Sequence, residues 1–167
     1  MDHKDLANET IDEGRAQQIA DGVHRVLDRI AQAEMEAGRE PGSVRLLAAT
    51  KTRDVGEIIA AIDAGVRMIG ENRPQEVIAK AEGLTRQCAL RGFSLGAATG
   101  EGNMHDDDPE HHISFHLIGQ LQSNKIGKVL PVVETIESVD SLDLAQKIAR
   151  RAVARGITAG VLLEVNE

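Results

Sequence analysis

A chain of 167 residues supports one domain with a buried core more readily than two. Its 19 Lys+Arg against 27 Asp+Glu give a net charge of -8, so no excess of cations exists to neutralise a nucleic-acid backbone, and the absence of Trp and Tyr removes platforms for base stacking. The single cysteine, Cys88, excludes an internal disulfide, and with neither an apolar secretion signal in "MDHKDLANETIDEG" nor any run near the ~18 apolar residues of a membrane span, a cytoplasmic location is expected.

Ile19, Val23, Val26, Leu27 and Ile30 recur at helical spacing and predict a long amphipathic first helix, ended by Gly38 and Pro41. The near-continuous apolar run "SVRLLAAT" (43–50) follows, as expected of a strand covered on both faces in a parallel sheet. Asp54 and Glu57 have the spacing of a capping box, ahead of a helix striped by Val55, Ile58, Ile59 and Ile62 and closed by Gly65. "VRMIG" (66–70) is the second predicted strand. Pro74 suits the first position of the next helix, for which Gly83 is the predicted stop.

Residues 84–112 break the rhythm with Gly, Ser, acidic and His residues, and are expected to form a flexible insertion. Beyond them come a strand, "ISFHLIG" (113–119), a short helix in "SNKIGKVLP", and a strand, "VETIESV" (133–139). Ser141 is placed to cap a last helix ended by Gly156, before a fifth strand, "GVLLEVN" (160–166). Strands alternating with amphipathic helices imply parallel βα units, wound as an open sheet or a barrel.

In both architectures ligands sit beyond the carboxyl ends of the strands, which here present Thr50 and Lys51, then Gly70 to Asn72, then Gly119 to Lys125, then Asn166 and Glu167. Lys51 carries the strongest chemistry among these. An amine at the mouth of a buried sheet is expected to be partly desolvated, which favours its neutral, nucleophilic form; the alternative is a solvated surface lysine. His116 alternates with Phe115 and Leu117 and reads as a hydrogen-bonded or site-lining histidine rather than a metal ligand. Asn72 and Asn124 suit either a polar ligand or a helix cap. "HDDDPEHH" (105–112) is read as a solvated charge run rather than a metal site, and no glycine-rich phosphate loop is present.

In their order, "LLAATKT", "AGVRMIGENRPQE", "FHLIGQLQSNK", "VETIESVDS" and "GVLLEVN" resemble the pyridoxal phosphate homeostasis protein family over residues 20–83 and 113–166. The resemblance implies a TIM-type (β/α) barrel of the alanine racemase N-terminal kind, incomplete at about five of eight strands, forming one partial domain over residues 1–167. It implies pyridoxal 5'-phosphate (PLP) bound as an aldimine to Lys51, with Asn72 and His116 in the cofactor site. It further implies a role in intracellular PLP homeostasis without an assigned reaction, with PLP-dependent apoenzymes as possible partners.

The chain departs from the family at Arg73, where a Tyr is common, in the length of residues 84–112, and at its end. The family continues with further strands bearing the Ser, Gly and Arg residues that hold the cofactor's phosphate and ring nitrogen, so a fragment lacking the anion cradle is expected. The competing readings are an amino-acid racemase, disfavoured by the lack of any Tyr to act as second base, an aldolase-like enzyme using Lys51 directly, and a fragment without function.

Overall fold

The computed structural model describes residues 5–97 and 109–165. Helix α1 (Glu13–Glu36) starts at Asp12, whose side chain accepts the Arg15 amide, and lies on the outside with a half-buried apolar stripe. Near its end Glu34 is buried and accepts the Gly42 and Val44 amides at 2.9 and 2.6 Å, bonds that hold its carboxyl below the usual range and fix the turn into the sheet.

Six strands follow, all paired in parallel: β1 (Ala48–Ala49), β2 (Met68–Glu71), β3 (Ser94–Leu95), β4 (His112–Leu117), β5 (Thr135–Val139) and β6 (Gly160–Leu163). The main sheet runs β1-β2-β4-β5-β6, with β3 paired to the start of β4. Among the described residues the sheet does not close on itself, so the architecture is an open arc of βα units. The first strand is shorter than its apolar run predicts, because only Ala48 and Ala49 find ladder partners.

Helices α2 (Val55–Asp63), α3 (Pro74–Leu90), α4 (Ile126–Val129) and α5 (Leu142–Arg155) connect the strands. Asp54 and Glu57 form a reciprocal capping box on α2, Gly65 follows that helix at φ 119°, and Ser141 and the left-handed Gly156 bound α5. One face of the sheet carries Ile69, Ile113, Phe115, Leu117 and Ile136 into a core shared with the helices, and every one of these side chains is fully buried. At roughly 1.5–3 kcal/mol for each large apolar side chain, this face supplies the main drive to fold.

The expected stop at Gly83 is not one: α3 runs on to Leu90. A Cβ at Gly83 would lie 3.1 Å from Val55 Cγ2, so the glycine serves close packing of α3 on α2 instead of ending the helix. The expected insertion therefore divides. Residues 84–90 are helical, 94–95 form β3, and 109–112 lead into β4 through a short 3₁₀ turn. Residues 98–108, including the first half of "HDDDPEHH", lie outside the described residues, as do Asn166 and Glu167.

Candidate functional site

Register converts sequence position into position on the rim. Ala49 pairs with Gly70, and Gly70 with His116, so these three stand level across the sheet. The Thr50 amide donates to Gly70 O at 2.9 Å and extends the ladder one residue past β1. Two residues beyond the level row come Lys51 and Asn72. Alternation places them at the carboxyl rim, one pleat above His116.

Lys51 is exposed, and its amine makes no hydrogen bond or ion pair with a described residue. The expected desolvation of this amine is therefore absent: the chain turns outward at Lys51 instead of carrying it into the sheet. Asn72 is exposed at the entrance to α3, where Arg73 is the N-cap and no side chain caps the helix; Asn124, in a 3₁₀ turn, is likewise exposed. An open cleft lies between Asn72–Glu76 and the Gln120 and Gln122 side chains, with Leu6 at its edge. The backbones close up behind it, for a Cβ on Gly119 would stand 2.0 Å from Asn72 O.

His116 is held by Glu137, Nδ1 to Oε1 2.7 Å, with Glu134 Oε1 4.0 Å from its Nε2. His112 bonds Glu134 through Nε2 and Ser94 through Nδ1, both at 2.7 Å. Burial pushes the Glu134 carboxyl up, yet the bonds from His112 and Ser114 and the nearby imidazoles outweigh it and hold the group below its ordinary value. A depressed carboxyl stabilises the fold above its unfolded value and loses that contribution as pH falls through the folded one. The thermal midpoint is accordingly expected to drop as pH falls below 4.5, and Glu134→Gln to flatten the drop while lowering the midpoint at neutral pH. A melting series with identical slopes for both chains would refute this. No three His, Cys, Asp or Glu side chains among the described residues are grouped to hold a metal ion.

Sequence reasoning missed the group of residues beneath Lys51. Lys80, on α3, is fully buried, and its ammonium donates to Thr50 O at 3.0 Å, Glu71 Oε1 at 2.6 Å and Glu76 Oε2 at 3.1 Å. The Thr50 hydroxyl donates to the same Glu71 oxygen at 2.7 Å, and the Thr52 amide donates to Glu76 Oε2 at 2.8 Å. Burial pushes the Glu71 carboxyl up against the pull of Lys80 and Thr50, and its second oxygen is buried without a partner among the described residues. Glu76 moves the other way: burial raises it, but the Thr52 amide and Lys80 prevail and hold it low. A legible signal existed, since Lys80 occupies an apolar stripe with Val77, Leu84 and Cys88 at helical spacing.

No family model matches the chain. It is 34% identical over 144 residues to the pyridoxal phosphate homeostasis protein of Aquifex aeolicus, covering 86% of this chain and 53% of that protein. The protein of the same name from Escherichia coli is 32% identical over 148 residues, covering 89% and 54%. The chain thus spans about half the length of the curated relatives it matches. Among solved structures, an unknown protein from Bifidobacterium adolescentis is 78% identical with a TM-score of 0.87, over 98% of this chain and 60% of that one. PipY of Synechococcus elongatus, solved with PLP bound, is 31% identical with a TM-score of 0.56, over 84% and 54%.

Proposed function

This chain belongs to the pyridoxal phosphate homeostasis protein family, and on that premise we propose that residues 1–167 form one cofactor-binding unit that holds PLP through Lys51 and contributes to PLP homeostasis in the cytoplasm. The observation that carries this reading is an exposed amine at the carboxyl rim of a parallel sheet, on a turn whose two neighbouring residues are fixed from below. Such an amine suits a cofactor that arrives from solution and is captured by its aldehyde. The relative solved with PLP bound supports the same ligand.

When bound, PLP supplies a reactive aldehyde and an electron-withdrawing ring. The residues of this chain supply capture and orientation. Lys51 would hold the cofactor by its aldehyde through the side-chain nitrogen, which its exposed position leaves open to a group arriving from solution. Asn72 offers its amide at the same rim, and His116, anchored by Glu137, stands one pleat below. Held in this way, PLP would be carried by this chain and passed on to acceptor apoenzymes.

The test is to incubate the chain and a Lys51→Ala variant with PLP, reduce with borohydride and map the modified peptides. Labelling concentrated on Lys51, and lost in the variant, is the expected result. Labelling of Lys51 no greater than that of exposed Lys128 would overturn the reading.

A further inference from the structure

We propose that the buried Lys80–Glu71–Glu76 cluster is a positioning device for Lys51, with Glu76 the residue through which it fixes the reactive turn. The inference rests on the reading of Lys51 as the PLP anchor. It goes beyond that reading by assigning the rate of capture to side chains that never touch the cofactor.

The grip is two-sided. On the amino side of Lys51, the Thr50 carbonyl accepts from Lys80 Nζ at 3.0 Å and the Thr50 hydroxyl donates to Glu71 at 2.7 Å. On its carboxyl side, the Thr52 amide donates to Glu76 Oε2 at 2.8 Å. Lys80 joins the two grips, since it donates to both carboxylates while being itself fully buried. The result is a backbone fastened at both peptide neighbours of a side chain that is otherwise open to solvent.

Thr52 shows that the fastening is needed. Its φ of 64° makes it the one non-glycine residue with positive φ among the described residues, a conformation that a β-branched side chain disfavours. A turn left to itself would relax, and relaxation would swing Lys51 away from Asn72 and the rim. A buried ion cluster is also a poor way to gain stability, because well-packed apolar residues do as well or better at such sites. Its distinctive effect here is to specify one backbone path, which a cluster of three charged side chains with directed bonds does and apolar packing does not.

The test compares Glu76→Ala, which deletes the acceptor for the Thr52 amide, with Glu76→Gln, which retains an oxygen in its place. Glu76 is buried, with about a tenth of its side chain exposed, so the alanine change also destabilises the cluster, and Glu76→Gln, which keeps the volume and an acceptor oxygen, is the control for that loss. PLP is the probe, and two quantities are read: the borohydride-trapped rate at Lys51 as a function of PLP concentration, and hydrogen exchange of the peptide spanning Thr50–Arg53. Glu76→Ala is expected to lower the saturating rate about tenfold with little change in the half-saturating concentration, as misplacement of a reacting group predicts. It is also expected to speed exchange in the turn, whereas Glu76→Gln recovers most of both.

Capture by Glu76→Ala at the parent rate, with Lys51 still selectively labelled in the parent, would overturn the positioning role and leave the PLP reading intact. Equal losses in the alanine and glutamine variants would overturn it too, by showing that the acceptor is not what matters. If the parent itself shows no preference for Lys51, the PLP reading falls and this inference falls with it.

Discussion

Replacing Lys80 by methionine is expected to cost about 3–5 kcal/mol, the usual effect of removing one partner from a buried ion cluster. Methionine matches the length of the lysine stem but donates nothing, so Glu71 and Glu76 lose their shared cation and Thr50 O loses its donor. All three ammonium protons are spoken for in the parent, which leaves no alternative arrangement. Against a typical total stability of about 5–15 kcal/mol, the loss brings the chain close to unfolding. A Glu71→Gln change in the same chain is expected to return part of it, because the carboxyl at that position is the one burial already disfavours as an ion and has an oxygen without a partner among the described residues. Urea unfolding of the parent, the single variant and the double variant checks this; equal midpoints for parent and Lys80→Met would refute it.

Gly119→Ala should destabilise the chain by about 3 kcal/mol, at the upper end for overpacking, and should disturb the rim at the same time. The new Cβ would sit 2.0 Å from Asn72 O and 2.9 Å from Asn72 C, and both are backbone atoms that no rotamer change can move aside. Ser138, whose hydroxyl donates to Gly119 O at 2.7 Å, ties the same loop to the end of β5, so the strain cannot be shed on that side without breaking a bond. Relief must come by shifting Asn72 at the mouth of β2. We therefore expect a lower unfolding midpoint together with slower trapping of PLP at Lys51. A variant with the parent's midpoint would show that the loop yields more readily than its contacts imply.

Local signals in the sequence were legible where the physics is local. The Asp54–Glu57 capping box, Pro74 at the start of α3, and Ser141 and Gly156 around α5 are read within one helical turn, and the structure contains each of them. Gly83 was misread because the reason for a glycine there is Val55 on another helix. Strand β3 was missed for a similar reason: its two residues become a strand only by pairing with His112 and Ile113. At the candidate site, order along the chain placed Lys51 and Asn72 at strand ends. It could not show that the buried amine is Lys80 and the exposed one Lys51, since that depends on which way the chain turns after Thr50.

The segment ahead of α1 runs across the entrance of α2. Leu6 O and Asn8 O accept the Val55 and Gly56 amides at 3.2 and 2.9 Å, the Asn8 side-chain amide reaches Asp54 at 3.2 Å, and Gly56 has no room for a Cβ against Thr10 O. Ordering these residues costs about 1–2 kcal/mol each in backbone entropy, and the bonds that repay it, which include those of Arg86 and Gln87 to Glu9, lie at or near the surface. This segment should therefore peel away in sub-global openings well before the sheet melts. Because Leu6 also borders the cleft at Asn72, each opening would widen that cleft, so the access of a bulky molecule to it would follow the breathing of this strap and not the unfolding of the sheet.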